Sequence, residues 1–220
     1  MPSRTDSYPR FRRLQPEERR RELVEATLVC LSELGSHGTG VREICRQAGV
    51  SPGLLTHHFD SKEDLILEAF RVLTREFYDK MRGALAEGRG SPEQRLRSSF
   101  QTYFSGGEIN ANRTGAYLAF WTLAQTDPAV RRIQRSAYRK QQQLFQSALK
   151  ALAEERGVRV EESKVAIGLV SLLDGLWIEI CLDPAAFSCA TAISLAWSWL
   201  DAVVRRGRRR RRSRAGTGRT

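Results

Sequence analysis

Histidine and cysteine are scarce in this 220-residue sequence, which has three His and four Cys. The cysteines, at positions 30, 45, 181 and 189, include no CxxC pair. We therefore expect reduced thiols, and neither a disulfide nor a zinc site. A glycine-rich phosphate loop, an HExxH motif and a Cys–His pair are also missing. The sequence thus predicts no catalytic centre, no metal and no cofactor.

Two further features are missing, a secretion signal and an uninterrupted membrane-spanning run. The N-terminal residues contain no apolar core of a signal sequence. The longest apolar stretch, residues 165–182, is interrupted by Asp174 and Glu179. This interruption favours a buried interface helix over a membrane span. We expect a cytoplasmic protein with no membrane partner.

Acidic residues are absent from the C-terminal end, and this absence explains most of the net charge. The formal charge is +11, yet nine Arg and no acid occur from Arg205 onward, which leaves only +2 for the remainder. Residues 207–220 are predicted to be a disordered Arg-rich tail that adds nonspecific affinity for nucleic acid. Residues 1–15 are predicted to be a disordered basic arm. The basic residues of the N-terminal region, including Arg20, either follow a DNA backbone, enter a minor groove or are simply solvated.

Helical periodicity predicts an all-α chain. No segment combines β-branched residues with strict alternation, and Gly and Pro separate the helical segments. Three helices are predicted in a head over 16–62, and six in a larger domain over 63–206. The predicted helices are 17–34, 41–48, 52–59, 61–81, 92–104, 112–125, 128–156, 161–182 and 190–206.

Residues 41–65 predict a helix-turn-helix, two short helices joined by a tight turn. Ser51 can cap the second helix, and Pro52 fits its first position because the missing N–H would be unpaired there anyway. Leu55 and Phe59 are apolar at i and i+4, so they face inward. The other side of this helix then carries small and hydrogen-bonding residues, which suits insertion into the major groove of DNA.

This segment resembles the helix-turn-helix of TetR-family repressors. The resemblance rests on Gly49-Val50-Ser51-Pro52-Gly53, on His58-Phe59, and on Lys62 followed by Glu63-Asp64-Leu65. It implies a TetR-like fold, in which residues 63–206 form an effector-binding and dimerisation domain. It also implies binding to double-stranded operator DNA. The positions implied to contact DNA are Arg42, Ser51, Pro52, Gly53, Leu54, Thr56, His57, His58 and Lys62.

The residue types at these positions suit both backbone and base contacts. Arg42 can reach a phosphate or a guanine edge, and Lys62 can hold a phosphate. Gly53 allows close approach of the backbone, and Thr56 offers a hydroxyl to phosphate or a methyl group to thymine. Adjacent histidines also occur as ordinary surface residues. A shared metal is not expected, because neighbours on a helix point about 100° apart.

The last two predicted helices carry more large apolar residues than one chain can cover. We predict that they pack against their two-fold copies as a four-helix bundle. A two-fold dimer in turn implies a palindromic operator. The residues predicted at this interface are Leu169, Leu172, Leu173, Leu176, Ile180, Ile193, Trp197 and Leu200.

A second resemblance lies in the larger domain. Residues 116–121 (AYLAFW) and 173–177 (LDGLW) look like the effector domain of BetI-type repressors, which respond to choline. With the helix-turn-helix, the similarity covers roughly residues 17–200. Physically, aromatic residues with Asp174 or Glu179 can form a cation–π cage for a quaternary ammonium. The cage is predicted to contain Tyr103, Tyr117, Phe120, Trp121, Asp174 and Trp177.

Alternatives remain at this point. Aromatic residues at helical spacing also predict an ordinary packed core, with Trp177 in the dimer interface. The leading hypothesis is a homodimeric repressor released from its operator by a small molecule, choline or another amine. The second is a general, architectural nucleic-acid-binding protein driven by the Arg-rich tail. An enzyme has no support, and the sequence does not distinguish repression from activation.

Overall fold

A computed structural model gives the fold of the chain and describes residues 15–86, 89–105 and 111–216, without the side chains of residue 111 and residues 207–216. No residue in these ranges lies in a strand, so the all-α prediction is confirmed. The helices within the described ranges are α1 (Pro16–Gly38), α2 (Val41–Ala48), α3 (Pro52–His58), α4 (Lys62–Leu85), α5 (Pro92–Tyr103), α6 (Ala111–Thr126), α7 (Pro128–Glu155), α8 (Glu162–Leu182) and α9 (Cys189–Gly216).

Each end of the chain differs from the prediction only where the structure describes it. Residues 1–14 of the predicted arm and 217–220 of the predicted tail lie outside the described ranges, whereas Gln15 caps α1 in a reciprocal box with Glu18. Helix α9 continues ten residues past its predicted end, so a disordered tail from residue 207 is wrong for 207–216. Arg has a high helix propensity, and a glycine in a helix costs only about 1 kcal/mol, so the basic sequence does not stop the helix.

Local signals position the helix-turn-helix as predicted. Gly49 adopts the left-handed conformation (φ 65°) and ends α2, which a residue without a Cβ does at little cost. Ser51 Oγ caps α3 by accepting a hydrogen bond from the Leu54 amide at 3.3 Å. Ser61 Oγ caps α4 by accepting from the Asp64 amide at 3.0 Å. The Ser61 hydroxyl also donates to the Asp64 carboxylate at 2.7 Å.

Two hydrophobic cores are connected by α4. The head core is built around Leu23, Ile44 and Phe70, and it includes the first half of α4. The effector-domain core contains Met81 from the second half of the same helix, together with buried residues of α5, α7, α8 and α9. The predicted domain boundary between residues 62 and 63 does not separate the two cores, because the first half of α4 packs in the head core.

Helix α6 fastens the larger domain to the head through α1. Phe120 of α6 is fully buried and stacks on Phe70 with ring centroids 4.3 Å apart. At Gly115 the two helices come so close that a Cβ would lie 2.7 Å from Ser32 Cα and 2.8 Å from Ser32 O. Only glycine fits this crossing without displacement of one backbone.

Helix α8 is, among the described helices, the one long and apolar enough to cross a membrane by length and composition. Seven of its residues are nevertheless buried against the rest of the chain, as expected of a core helix. The exposed apolar side chains lie elsewhere on this helix, with Ile167 51% and Leu182 69% exposed.

Candidate DNA-binding helix and effector cavity

Helix α3 is fixed to the head by two buried side chains and by one arginine. Leu55 and Phe59 are 1% and 5% exposed, as the sequence predicts. The Arg20 guanidinium donates to the His58 carbonyl at 2.5 Å and lies 4.1 Å from the centre of the Phe59 ring. Arg20 therefore caps the C-terminal end of α3. From the sequence alone, Arg20 is expected only to contact a DNA backbone or minor groove or to be solvated.

The positions predicted to contact DNA are all accessible. Six of them are exposed and three, Leu54, His58 and Lys62, are half-buried. Lys62 lies 3.7 Å from the Glu63 carboxylate, a separation too long to hold its ammonium in place. The exposed six are Arg42, Ser51, Pro52, Gly53, Thr56 and His57.

Gly53 has no role in the packing of the head. A Cβ built at this position would meet no atom within 4 Å, and the backbone is not in the left-handed region. The fold would therefore accept a side chain at Gly53. A glycine on the exposed face of α3 suits close approach of the helix to a DNA backbone.

Thr56 and the histidines offer different groups to DNA. The Thr56 hydroxyl donates within α3 to the Gly53 carbonyl at 3.1 Å, which leaves its methyl group and an oxygen lone pair for a partner. Partial burial, together with His57 and Arg20, lowers the pKa of His58, so this imidazole is neutral at pH 7. The two histidine rings meet edge to face at 5.1 Å. Among the described residues, no group of three His, Cys, Asp or Glu side chains is placed to hold a metal ion.

A cavity of about 60 Å³ lies in the larger domain between α4 and α5–α8. Three aromatic rings form one side of it. The Tyr117 and Trp177 rings meet at 5.7 Å, and Trp121 lies 5.9 Å from Trp177, both edge to face. Such an aromatic wall presents negative ring faces, the surface that attracts a cation.

Asp174 supplies a half-buried carboxylate to this cavity. The hydroxyl groups of Tyr103 and Tyr138 donate to its two oxygens, the second at 2.5 Å. Gln141 in turn donates to the Tyr103 hydroxyl at 3.2 Å. Burial raises the pKa of Asp174, and the two tyrosine hydrogen bonds offset only part of this shift. Burial and the neighbouring carboxylate raise the pKa of both tyrosines, so they remain hydrogen-bond donors.

Comparison with known proteins now identifies the family. A model of the tetR family of bacterial regulatory proteins matches residues 23–69, and a model of the BetI-type transcriptional repressor C-terminal domain matches residues 92–205. The chain belongs to the TetR family. Its larger domain is of the BetI type, so both resemblances in the sequence are confirmed. As a TetR-family member, it is a DNA-binding transcriptional regulator.

Individual relatives extend over most of this TetR-family chain. The HTH-type transcriptional regulator BetI of Serratia proteamaculans is 32% identical over 85% of this chain and 93% of its own length. BetI of Escherichia coli K12 is 32% identical over 80% of this chain and 89% of its own. A Pseudomonas aeruginosa PAO1 protein, described as a transcriptional regulator, is similar in structure. It has a TM-score of 0.83 and 37% identity, covering 92% of this chain and 98% of that one.

Five of the six predicted cage residues line the cavity, and one does not. Tyr103, Tyr117, Trp121, Asp174 and Trp177 line the cavity. Phe120 does not, because it is buried in the head core; that prediction is wrong.

The choice between the two acids is also resolved. Glu179 is exposed, so Asp174 is the acid of the cavity. Sequence reasoning missed Tyr138 and Gln141 of α7. The signal was a stripe at i, i+3, i+4 and i+7 in a strongly basic helix: Gln134, Ala137, Tyr138 and Gln141.

Half of the predicted interface faces the interior of the same chain. Leu169, Leu173, Ile180 and Leu200 are at most 4% exposed, so they offer no surface to a partner and this part of the prediction is wrong. Helix α8 is apolar nearly all round, and its buried residues belong to the core that also contains residues of α7 and α9. Leu172, Leu176, Ile193 and Trp197 are half-buried. The exposed large apolar residues of α8 and α9 are Ile167, Leu182 and Leu195.

Proposed function

We propose that this TetR-family regulator is a homodimeric, cytoplasmic and nucleoid-associated repressor that a small organic cation releases from a palindromic operator. The observation that carries the DNA-binding part is the two-sided character of α3. Its buried Leu55 and Phe59 fix the helix, while Gly53, Thr56 and His57 are free to meet DNA. Such a helix, presented twice by a two-fold dimer, binds two half-sites of opposite orientation.

The proposed dimer interface is the exposed apolar face of α8 and α9. Ile167, Leu182 and Leu195 are between 49% and 69% exposed in one chain. Ser171 and Gly175, both exposed on α8, would let a partner helix approach closely. Two copies of α8 and α9 joined by these faces form a four-helix bundle.

The proposed effector is a quaternary ammonium compound such as choline. Three aromatic rings and the Asp174 carboxylate give the cavity the composition of a cation site. A choline complex is known for a Saccharomonospora viridis protein described as a transcriptional regulator. Its fold is similar (TM-score 0.73), at 21% identity over 84% of this chain and 96% of that one.

The proposed path from effector to DNA is α4. Thr74, Phe77 and Met81 of this helix line the cavity, and Leu65 and Phe70 of the same helix lie in the head core. A ligand that favours a shifted position of α4 changes the spacing of the two heads in the dimer. DNA release then follows from the difference in ligand affinity between the two states.

Asp174→Asn is expected to weaken choline binding and to stabilise the empty protein. Burial raises the pKa of Asp174, so its ionised form reduces the free energy of unfolding. This loss is absent below the ordinary pKa of Asp and develops as the pH rises through the raised pKa. At pH 7 the neutral Asn avoids it. Calorimetry should show choline affinity lower by roughly tenfold or more, and Tm should rise.

Glu179→Gln is the matched control, since it removes one exposed negative charge from the same helix. It should leave both choline affinity and Tm close to wild type. Equal choline affinity in wild type and Asp174→Asn would contradict the proposed cation site.

The second candidate function is architectural binding through the Arg-rich end of α9. It is favoured by the nine Arg from position 205 onward. Deletion of residues 207–220 distinguishes the two functions in a fluorescence anisotropy titration. The proposed repressor should keep its preference for operator over random DNA and lose part of its salt dependence. Loss of most binding, with no remaining sequence preference, would favour the architectural function.

A further inference from the structure

A second space lies directly beside the effector cavity, between α4 and α7. It is a groove of about 290 Å³. Thr74, Tyr78 and Ala137 line both the groove and the cavity, so the two spaces share a wall. A ligand that passes between these side chains can therefore extend from the cavity into the groove.

The groove is basic, in contrast to the aromatic cavity. Arg71 and Arg75 of α4 and Lys140 of α7 line it, and no acidic residue does. Lys140 Nζ lies 5.9 Å from the centre of the Tyr78 ring, on the shared wall. Helix α7 adds no acid between its N-cap Asp127 and Glu154.

Two acids of α4 near this groove are paired with cations that do not line it. Glu76 binds Arg113 at 2.7 Å, and Asp79 lies 3.7 Å from Arg82. Glu68 lies 3.4 Å from Arg71, a pair that is partly exposed and therefore weak. The field in the groove is accordingly positive.

We propose that the natural effector is a zwitterion, with its quaternary ammonium in the cavity and a carboxylate or phosphate in the groove. This inference rests on the proposed cation site. A lone cation in the cavity is repelled by the three positive side chains across the shared wall. An anionic group on the same ligand removes this repulsion and forms charge-assisted hydrogen bonds with arginine, whose guanidinium matches carboxylate and phosphate geometry.

The experiment compares ligands that differ in one group. Calorimetry of the full-length protein would use choline as the cation alone, carnitine as the carboxylate zwitterion and phosphocholine as the phosphate zwitterion. At least one zwitterion should bind roughly tenfold or more tightly than choline. The comparison of carnitine with phosphocholine identifies which anion the groove takes.

Two double variants test whether the basic groove causes the difference in affinity between the zwitterion and choline. The double variant Arg75→Gln/Lys140→Gln should abolish the advantage of the zwitterion while choline binds as well as before or better. The control Arg135→Gln/Arg139→Gln removes two charges of α7 outside both linings, and it should keep the advantage.

The outcomes separate this inference from the proposed function. If choline binds and neither zwitterion binds more tightly, the zwitterion inference is overturned and the cation site stands. An advantage that survives in Arg75→Gln/Lys140→Gln also overturns it. If none of the three probes binds, the cation site itself fails, and the inference fails with it.

Discussion

Gly53→Glu should abolish specific operator binding and leave the fold intact. Gly53 is exposed, and a Cβ there meets no atom within 4 Å, so a side chain does not disturb the head. Replacing glycine inside a helix also favours the helix itself. On the DNA side, however, the new side chain prevents close approach and places a carboxylate against phosphates. Like charges brought together at an interface cost several kcal/mol, so affinity should fall by on the order of a hundredfold or more.

Gly83→Glu provides the control with the same change in residue and charge. Gly83 lies in α4, and a Cβ there also meets no atom within 4 Å. Thermal unfolding should show both variants at least as stable as wild type, and anisotropy titrations should show a loss of operator affinity only for Gly53→Glu. Equal operator affinity in the two variants would mean that α3 does not face DNA.

Gly115→Ala should destabilise the chain, although alanine is the better helix former. The new Cβ would lie 2.7 Å from Ser32 Cα and 2.8 Å from Ser32 O, so α1 or α6 must move. Overpacking of this kind costs about 1–3 kcal/mol. Because α6 joins the effector domain to the head at this crossing, the same variant should also change the effector concentration needed to release DNA. Urea unfolding and operator release at increasing choline concentration measure the two effects.

The control for this variant is Gly83→Ala, which places the same methyl group in open space. It should increase the free energy of unfolding slightly, by about 0.5–1 kcal/mol. If Gly115→Ala is stabilised to the same extent, the α1–α6 crossing is not tightly packed and does not connect the domains as described.

The head could be predicted from the sequence because its signals are local. The left-handed Gly49, the Ser51 cap and the apolar pair Leu55 and Phe59 all act within a few residues, and each lies where the pattern indicates. The Arg20 contact was not predictable in the same way. It joins positions 38 residues apart, and periodicity does not indicate which basic side chain reaches the end of α3.

The larger domain was predicted less completely for two physical reasons. Side chains from five helices line the cavity. The AYLAFW and LDGLW motifs lie on two of these helices, so they indicate only part of the lining. Adjacent residues of one motif also face different cores: Trp121 lines the cavity, whereas Phe120 packs in the head. On α8, apolar residues surround the helix, so hydrophobicity alone cannot separate the buried Leu169 from the exposed Ile167.

Selection of bound sequences from a random pool of double-stranded DNA tests the central claim most directly, because all candidate operator sequences compete for the protein at once. The wild-type protein should enrich a palindrome with two half-sites. His57→Ala should weaken binding to this site by about 1–3 kcal/mol. The corresponding change at His37, an exposed histidine outside α3, should have little effect. Enrichment of no motif, or of a motif bound equally well by His57→Ala, would contradict recognition of a two-fold operator by α3.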